Sequence, residues 1–347
     1  MDVALLKKLC EAPGAPGFED PIRKLILNEI TPFVDAVEVD PMGNIIAVKQ
    51  SGKENASKLM MAAHMDEIGF IVTHIDDNGF VRFTTLGGFD PKTLTAQRVI
   101  IHGKEDVVGV MGSKPIHVMK PEERTKTVQL DDFFIDTGLS AEDLNGKIEI
   151  GSPITREREL IEMGDCVNCK SLDNRVSVYV LIEVLKQVSA LEVDLYGVFT
   201  VQEEVGLRGA MVASHTINPD FGLAIDTTIA FDLPGAQPHE MITSLGKGAA
   251  IKIMDASTIC DSRMVAYLKK TADEHSINWQ PEVLTAGGTD TAGVQRTGKN
   301  GAIAGAVSIP TRHLHQVIEM SHKKDVDDAV HLLVKASQAI GQYDWSR

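Results

Sequence analysis

The spacing of apolar and polar positions shows two different patterns along the chain. From about Met163 onward, apolar stretches of strand length alternate with stretches of helical period. This alternation predicts strands at 195–201, 221–225 and 302–309 and helices at 176–188, 261–275 and 324–340. Residues 1–66 read as two helices followed by strands at 37–39, 44–48 and 58–63. Together these stretches predict one α/β domain with a doubly wound mixed sheet.

Between these stretches the pattern is that of short β-strands. Apolar segments occur at 70–75, 80–85, 99–102 and 107–111, and Asn78-Gly79 favours a tight hairpin between the first two. No long helical period appears between about Gly69 and residue 170. We therefore predict an all-β module inserted at 69–162, with 1–68 and 163–347 as the two parts of the α/β domain.

The predicted strand at 195–201 leads into two adjacent carboxylates. The strand is apolar and uncharged, which is typical of a strand buried on both faces. Glu203 and Glu204 follow it, just before Gly206. Neighbouring carboxylates at the end of a buried strand repel each other unless a cation or a shared proton compensates their charge. This stretch therefore indicates a site.

Other predicted strands also end in residues that bind metals. The strand at 58–63 leads into His64-Met65-Asp66, and the strand at 302–309 is followed by His313-Leu314-His315. Ligands of open α/β sheets bind beyond the carboxyl ends of the strands, so we expect these side chains to converge. The candidates share such a position, after a strand or at the head of the helix at 176–188: His64, Asp66, Asp173, Glu203, Glu204, Asp226 and one of His313 and His315.

Histidines and carboxylates in this pattern favour a metal centre. Zinc binds imidazole nitrogen and carboxylate oxygen, and hydrolases hold two ions about 3.5 to 4 Å apart by sharing a carboxylate. Because Glu203 and Glu204 are neighbours, one can bind a metal while the other acts as a base. Asp66 could hold the second ring nitrogen of His64 and fix its tautomer.

The composition of the chain limits which binding partners and which cellular compartment we expect. With 34 Lys and Arg against 49 Asp and Glu, the net charge of −15 argues against nucleic acid and anionic membrane as partners. No apolar run approaches the ~20 residues of a membrane span, and the charged amino terminus is unlike a signal peptide. Four cysteines are too few for a disulfide scaffold, which favours the cytoplasm. Cys166 and Cys169 have the spacing of half a zinc site without a second pair.

Five motifs of the chain resemble those of the tetrahedral (TET) aminopeptidases, which include glutamyl and deblocking aminopeptidases. The motifs are HMDEIG at 64–69, LDNR at 172–175, VQEEVGLRGA at 201–210, AID at 224–226 and GGTD at 287–290. The resemblance extends over essentially the whole chain, in the right order and with the β insertion. It implies an α/β domain of the zinc-exopeptidase type and a barrel-like insertion that drives dimerisation. It also implies dimers assembled into a hollow dodecamer.

The resemblance also implies a role for each candidate residue. His64 and Asp226 would bind one divalent ion, Asp173 would bridge, and Glu203 would be the general base. Glu204 would bind the second ion together with a carboxy-terminal histidine. The family places that histidine in Arg-Tyr-Ile-His, and this chain has Arg-His-Leu-His at 312–315. Alignment puts the ligand at His315, with His313 in place of the tyrosine. Zinc is the first expectation for both ions, with cobalt and manganese as alternatives.

The implied reaction is removal of amino-terminal residues from peptides by a water activated between the two ions, with residues 287–290 lining the substrate pocket. Glycoside hydrolysis, with which some relatives have been labelled, is an alternative. It requires two carboxyl groups facing each other across a sugar, about 5 to 9 Å apart. Adjacent Glu203 and Glu204 do not straddle a ring naturally, and an aromatic content of 5% leaves few stacking surfaces. A non-catalytic metal-dependent scaffold is a third possibility.

Overall fold

The computed structural model of the protein describes residues 1–346. Its helices are α1 (Val3–Glu11), α2 (Asp20–Ile30), α3 (Ala141–Leu144), α4 (Leu172–Gln187), α5 (Arg208–Ile217), α6 (Ser262–Glu274), α7 (Thr291–Thr297) and α8 (Lys323–Ala339). The strands of the larger sheet are β1 (Ala36–Val39), β2 (Ile45–Lys49), β3 (Lys58–His64), β10 (Ile161–Met163), β11 (Cys166–Cys169), β12 (Asp194–Thr200), β13 (Phe221–Ile229), β14 (Ala249–Met254), β15 (Trp279–Val283), β16 (Ile303–Arg312) and β17 (Glu319–His322). The strands of the barrel are β4 (Gly69–Ile75), β5 (Val81–Leu86), β6 (Arg98–His102), β7 (Asp106–Gly112), β8 (Phe134–Asp136) and β9 (Pro153–Arg156).

Four parallel strands form the centre of the larger sheet. They lie in the order β12, β3, β13, β16. Antiparallel strands extend the sheet on both sides, with β2 and β1 beyond β12 and with β17, β11 and β10 beyond β16. Strand β14 pairs antiparallel with β16 and parallel with β15. The predicted mixed α/β sheet is confirmed.

Helices cover both faces of this sheet, which explains why its central strands are apolar throughout. The larger core cluster packs one face against α1, α2, α4, α6 and α8. A smaller cluster packs the other face against α5 and α7, through Ala213, Ile217 and Val294. The sheet is therefore doubly wound, and only its edges are open to ligands.

The insertion is a closed six-stranded barrel in the order β4-β5-β8-β7-β6-β9. It has its own apolar core, separate from that of the larger sheet. Phe70 lies at its centre, with its ring centroid 5.1 Å from that of Phe83 and 4.4 Å from that of Phe89. The predicted all-β insertion is thus a barrel with an independent core.

Three local predictions differ from the structure. Strand β13 does not end before Asp226 but continues to Ile229, because its backbone pairs with β16 as far as Thr311. Helix α4 begins at Leu172, although Asp173 and its neighbour Asn174 have non-helical backbone angles. Strand β10, which spans the predicted boundary at residue 162, pairs with β11 of the larger sheet. On strand pairing, the barrel therefore ends at Arg156. The division at residues 68 and 162 otherwise stays a prediction.

Among residues 1–346, no helix combines the length and the apolar character needed to cross a membrane. Cys166 and Cys169 both lie in β11, where their odd spacing places the side chains on opposite faces of the sheet.

Candidate active site

The candidate site is a cavity of about 560 Å³ at the carboxyl ends of the four parallel strands. Strand β3 ends in His64, and β12 and β16 lead into the turns that carry the other candidates. Six of the seven predicted site residues line this cavity: His64, Asp173, Glu203, Glu204, Asp226 and His315. The seventh, Asp66, is fully buried beneath it.

Asp173 lies between two histidines and presents one carboxylate oxygen to each. On one side, His64 Nε2 is 3.4 Å from Asp173 Oδ1 and 3.7 Å from Asp226 Oδ1. On the other side, His315 Nε2 is 3.4 Å from Asp173 Oδ2 and 3.6 Å from Glu204 Oε2. In each group the three potential ligand atoms lie within 4.8 Å of one another. The groups share only Asp173, which is the arrangement that a carboxylate bridging two ions requires.

Glu203 stands outside these two groups but close to the first. Its Oε2 atom is 3.8 Å from His64 Nε2. Glu203, Glu204 and His64 also satisfy the spacing of a ligand group. When Asp173 bridges and Glu204 belongs with His315, Glu203 is the carboxylate left without a ligand role.

Burial and mutual repulsion perturb the titration of the whole cluster. Burial raises the pKa of Glu203 and of Asp226 well above the usual range, and neighbouring carboxylates add to this effect although His64 opposes it. Burial likewise raises the pKa of Glu204 to about 7. Burial lowers the pKa of the two histidines, but the carboxylates outweigh it and hold the pKa of His64 well above its usual value and that of His315 at about 10. The cluster therefore attracts positive charge, as protons or as metal cations.

The donor atoms fit divalent metal ions. Imidazole nitrogen and carboxylate oxygen suit zinc, and manganese also accepts carboxylate oxygen. Glu204 Oε1 is buried and has no hydrogen-bond partner within residues 1–346. A buried carboxylate oxygen rarely lacks a partner, so its lone pairs are available to a cation.

Buried side chains from other parts of the chain hold the turn that carries Glu203 and Glu204, by accepting hydrogen bonds from its backbone. The N–H groups of residues 201–204 all donate to buried side-chain oxygens. In chain order the acceptors are Asn44 Oδ1 at 3.0 Å, Glu19 Oε1 at 3.3 Å and the two oxygens of Asp66 at 3.1 Å each. These bonds satisfy N–H groups that no neighbouring strand can pair, and they set the direction in which both glutamates point.

Asp66 therefore has a different contact from the one predicted. The Nδ1 atom of His64 lies 3.1 Å from the backbone carbonyl oxygen of Asp66 and can donate to it. The carboxylate of Asp66 is 3.6 Å from Nδ1, too far for a hydrogen bond, because it binds the backbone of Glu203 and Glu204 instead. The backbone, and not the side chain, of Asp66 orients the imidazole.

The histidine segment turns His315, and not His313, into the cavity. His315 Nδ1 donates to the carbonyl oxygen of Gly88 at 2.9 Å, which directs Nε2 toward Asp173 and Glu204. His313 does not line the cavity. The geometry thus matches the alignment of His315 with the family's last ligand, whereas metal binding by His315 stays a prediction.

Two functional neighbours were missed from the sequence. Lys252 lines the cavity although it is buried, and its Nζ atom lies 3.2 Å from Asp255 Oδ2 and 2.9 Å from Glu282 Oε1. A lysine inside the apolar segment AAIKIM was the available signal, since lysine is rarely buried without partners. Glu319 is also fully buried, and it accepts hydrogen bonds from the backbone of Asp173 and of His315. No local pattern distinguished it.

The expected pocket segment at 287–290 contributes three residues to the cavity wall: Gly287, Gly288 and Thr289. Asp290 lies behind the wall, buried, and accepts a hydrogen bond from Thr200 Oγ1. The rest of the wall contains both polar and apolar residues, and the apolar side chains include Leu207, Ile229 and Leu284. Next to the carboxylate cluster, the cavity therefore has room and apolar surface for a side chain.

In sequence and in fold, the chain is similar to known aminopeptidases. The lysyl aminopeptidase of Pyrococcus furiosus is 34% identical over 96% of this chain and 95% of its own length. An aminopeptidase structure from Desulfurococcus kamchatkensis has a TM-score of 0.92 at 36% identity, covering 97% of this chain and 94% of that one.

Two further structures are relevant to assembly and to the alternative activity. The TET1 peptidase of Pyrococcus horikoshii, described as assembling into a tetrahedron or a large octahedral shell, has a TM-score of 0.87 at 31% identity, with 96% and 98% coverage. A Thermotoga maritima structure named endoglucanase has a TM-score of 0.80 at 29% identity, with 97% coverage of both chains.

The family model described as M42 glutamyl aminopeptidase matches residues 43–332, which is most of the chain. The motif resemblance to the TET aminopeptidases is confirmed by this match and by the relatives above. The protein belongs to the M42 glutamyl aminopeptidase family of hydrolases.

Proposed function

We propose that the protein is a two-metal aminopeptidase that removes residues from the free amino terminus of peptides. The observation that carries this proposal is the position of Asp173, which offers one oxygen to the His64–Asp226 group and the other to the Glu204–His315 group. Two divalent ions, zinc in the first place, would be held by these five residues. When bound, the ions would activate a water and polarise the peptide carbonyl.

Glu203 is the proposed general base. It is buried, it lies beside the first metal group, and burial raises its pKa well above the usual range. A raised pKa makes a carboxylate a stronger base, able to take a proton from water and return it to the leaving amine. The hydrogen bond from its own N–H to Asp66 fixes its backbone while its side chain stays free to exchange a proton.

The cavity wall supports a peptide substrate. Its apolar side chains lie on one side of the carboxylate cluster, where the side chain of an amino-terminal residue can pack. The resemblance to the family implies that the α-amine of the substrate would bind close to the metal centre. A free α-amine distinguishes an amino terminus from an internal peptide bond, so this arrangement favours an exopeptidase.

The endoglucanase name of one relative does not change this assignment. Glu203 and Glu204 both lie within one group around His64, and they do not face each other across a cleft. Among the described residues that line the cavity, none is Phe, Tyr or Trp. Both observations are unfavourable for a sugar chain that needs carboxyl groups on opposite sides.

We further propose that the chain forms homo-oligomers through its barrel. On β7, Val108 and Val110 are 58% and 47% exposed, and the following segment exposes Ile116 and Val118 at 58% and 62%. Val108 and Val110 lie on the same outward face of β7, and exposed apolar patches are typical of protein interfaces. The tetrahedral assembly described for the related Pyrococcus horikoshii peptidase supports a large homo-oligomer, for which we propose dimers that build a dodecamer. The cytoplasmic location stays a prediction.

The substrate class can be tested directly with zinc-loaded protein. We expect release of amino acids from a panel of aminoacyl chromogenic substrates, no release of sugar from soluble cellulose, and loss of activity after chelation. Amino-terminally acetylated peptides are the matched control and should not be cleaved, because they lack a free α-amine. Sugar release without amino-acid release would overturn the assignment.

Replacement of Glu203 by Gln should separate the base from the ligands. The amide cannot accept the proton, so we expect kcat to fall by about 10² to 10⁴ while two ions per chain remain bound. The matched variant Glu204→Gln should lose metal as well as activity. Metal analysis and steady-state kinetics measure both effects, and full activity of Glu203→Gln would remove this residue from the mechanism.

Removal of metal should make stability depend on pH. In the folded protein the pKa of Glu204 is about 7 instead of 4.5, and that of His315 is about 10 instead of 6.5. Both folded-state values are raised, so the metal-free fold binds more protons than the unfolded chain and loses stability as pH rises from about 5 to 8.

Thermal denaturation between pH 5 and 8 measures this effect. We expect the midpoint of chelated protein to fall by several degrees across this range. Zinc-loaded protein should show a flatter profile, because the ions replace the protons. Parallel profiles with and without zinc would contradict metal binding by these groups.

A charge in the exposed face of the barrel should weaken assembly. We expect Val110→Lys to shift the sedimentation velocity profile toward smaller species, because the ammonium would be desolvated at an apolar interface. Val39 on β1 is similarly exposed at 45%, and Val39→Lys is the control that should leave assembly unchanged. An unchanged profile for Val110→Lys would remove this face from the interface.

A further inference from the structure

One buried carboxylate connects the two chain segments that carry Asp173 and His315. Glu319 is the first residue of β17 and has no exposed surface. Its Oε2 atom accepts the backbone N–H of Asp173 at 2.9 Å, and its Oε1 atom accepts the backbone N–H of His315, also at 2.9 Å. Asp173 is 146 residues away in sequence, so this contact joins distant parts of the chain.

Neither N–H group has a regular backbone partner. Asp173 lies in the first turn of α4, where N–H groups have no intrahelical acceptor, and its ψ of 106° is non-helical. His315 has a left-handed backbone with φ of 62°. Both groups are therefore free to donate to a side chain, and a buried N–H without an acceptor would cost about 1 to 3 kcal/mol.

The two hydrogen bonds fix the distance between the segments. The oxygens of a carboxylate have a constant separation, so a residue that uses both oxygens sets the relative position of its two donors. Arg156 holds the histidine segment in addition, since its Nη1 atom donates to the carbonyl oxygen of His315 at 3.1 Å. In contrast, none of the hydrogen bonds of the Glu319 side chain reaches His64 or Asp226.

We propose that Glu319 is a positioning residue for the ion between Glu204 and His315, and contributes less to the ion between His64 and Asp226. This inference rests on the proposed two-metal site. Asp173 and His315 are two of the three protein groups around the second position, and Glu319 holds the backbone of both. Groups that orient metal ligands in this way typically change metal affinity by about 10- to 100-fold.

The chain contains a matched control for this device. Asp325 is fully buried and accepts two backbone N–H groups, from Gly246 at 2.7 Å and from Gly248 at 2.8 Å. None of these three residues lines the cavity. Asp325→Asn likewise leaves only one oxygen to accept an N–H, without touching the candidate ligands.

The experiment is a titration of metal-free full-length protein with Co²⁺, followed by visible absorption and by metal analysis after dialysis. We expect two binding steps in the unmodified protein. In Glu319→Gln, only one oxygen remains to accept an N–H, and the step that His315→Ala also removes should weaken about 10- to 100-fold while the other step changes little. Asp325→Asn should keep both steps, with a lower midpoint of thermal denaturation.

Glu319→Asp separates geometry from charge and serves if Glu319→Gln does not fold. It keeps the negative charge but is one methylene shorter and cannot reach both donors, so it should weaken the same step. Unchanged binding in the Glu319 variants, equal weakening of both steps, or the same loss in Asp325→Asn would each overturn the proposal. Unmodified protein that binds two ions but releases no amino acids would overturn the proposed function, while the titrations still decide the role of Glu319.

Discussion

Buried side-chain oxygens that bind backbone N–H groups hold the candidate ligands in place. Parallel strands end at the site edge, and the turns that follow have N–H groups without a strand partner. The N–H groups of residues 201–204 donate to Asn44, Glu19 and Asp66, and Glu319 accepts from the histidine segment and from the start of α4. Because these acceptors are buried and held by the core, the turns have a defined geometry, which a catalytic constellation requires.

This support compensates a strained backbone around the cavity. Left-handed φ values occur at non-glycine residues in the ligand-bearing segments: Ser171, Gln202, Leu207, His313 and His315. Each such conformation costs about 1 to 3 kcal/mol and persists only when the surrounding structure determines it. The carboxylate cluster adds electrostatic repulsion in a buried environment, and cations relieve it. The packing of helices on both faces of the sheet therefore offsets this strain and repulsion, and the candidate ligand atoms stay close together.

Much of this arrangement was predictable because its signals are local. Apolar stretches with helical and strand periods predicted the α/β sheet, and the rule that parallel strands present their carboxyl ends at one edge brought His64, Glu203 and Glu204 together. The end of β13 was placed too early, because the polar residue Asp226 suggested a strand end while the backbone pairing continues to Thr311. The contact of Asp66 with Glu203 and that of Glu319 with Asp173 join residues more than 100 positions apart, and no local pattern specifies them.

The inserted barrel takes part in the site as well as having its own core. Gly88, between β5 and β6, accepts the Nδ1 proton of His315 and lines the cavity, and Arg156 at the end of β9 donates to the His315 carbonyl oxygen. His315 itself follows β16 of the larger sheet. Its orientation thus requires both folded modules and Glu319 between them. An insertion that served only to bring subunits together would not need these contacts, so the barrel and the candidate metal centre form one structural unit.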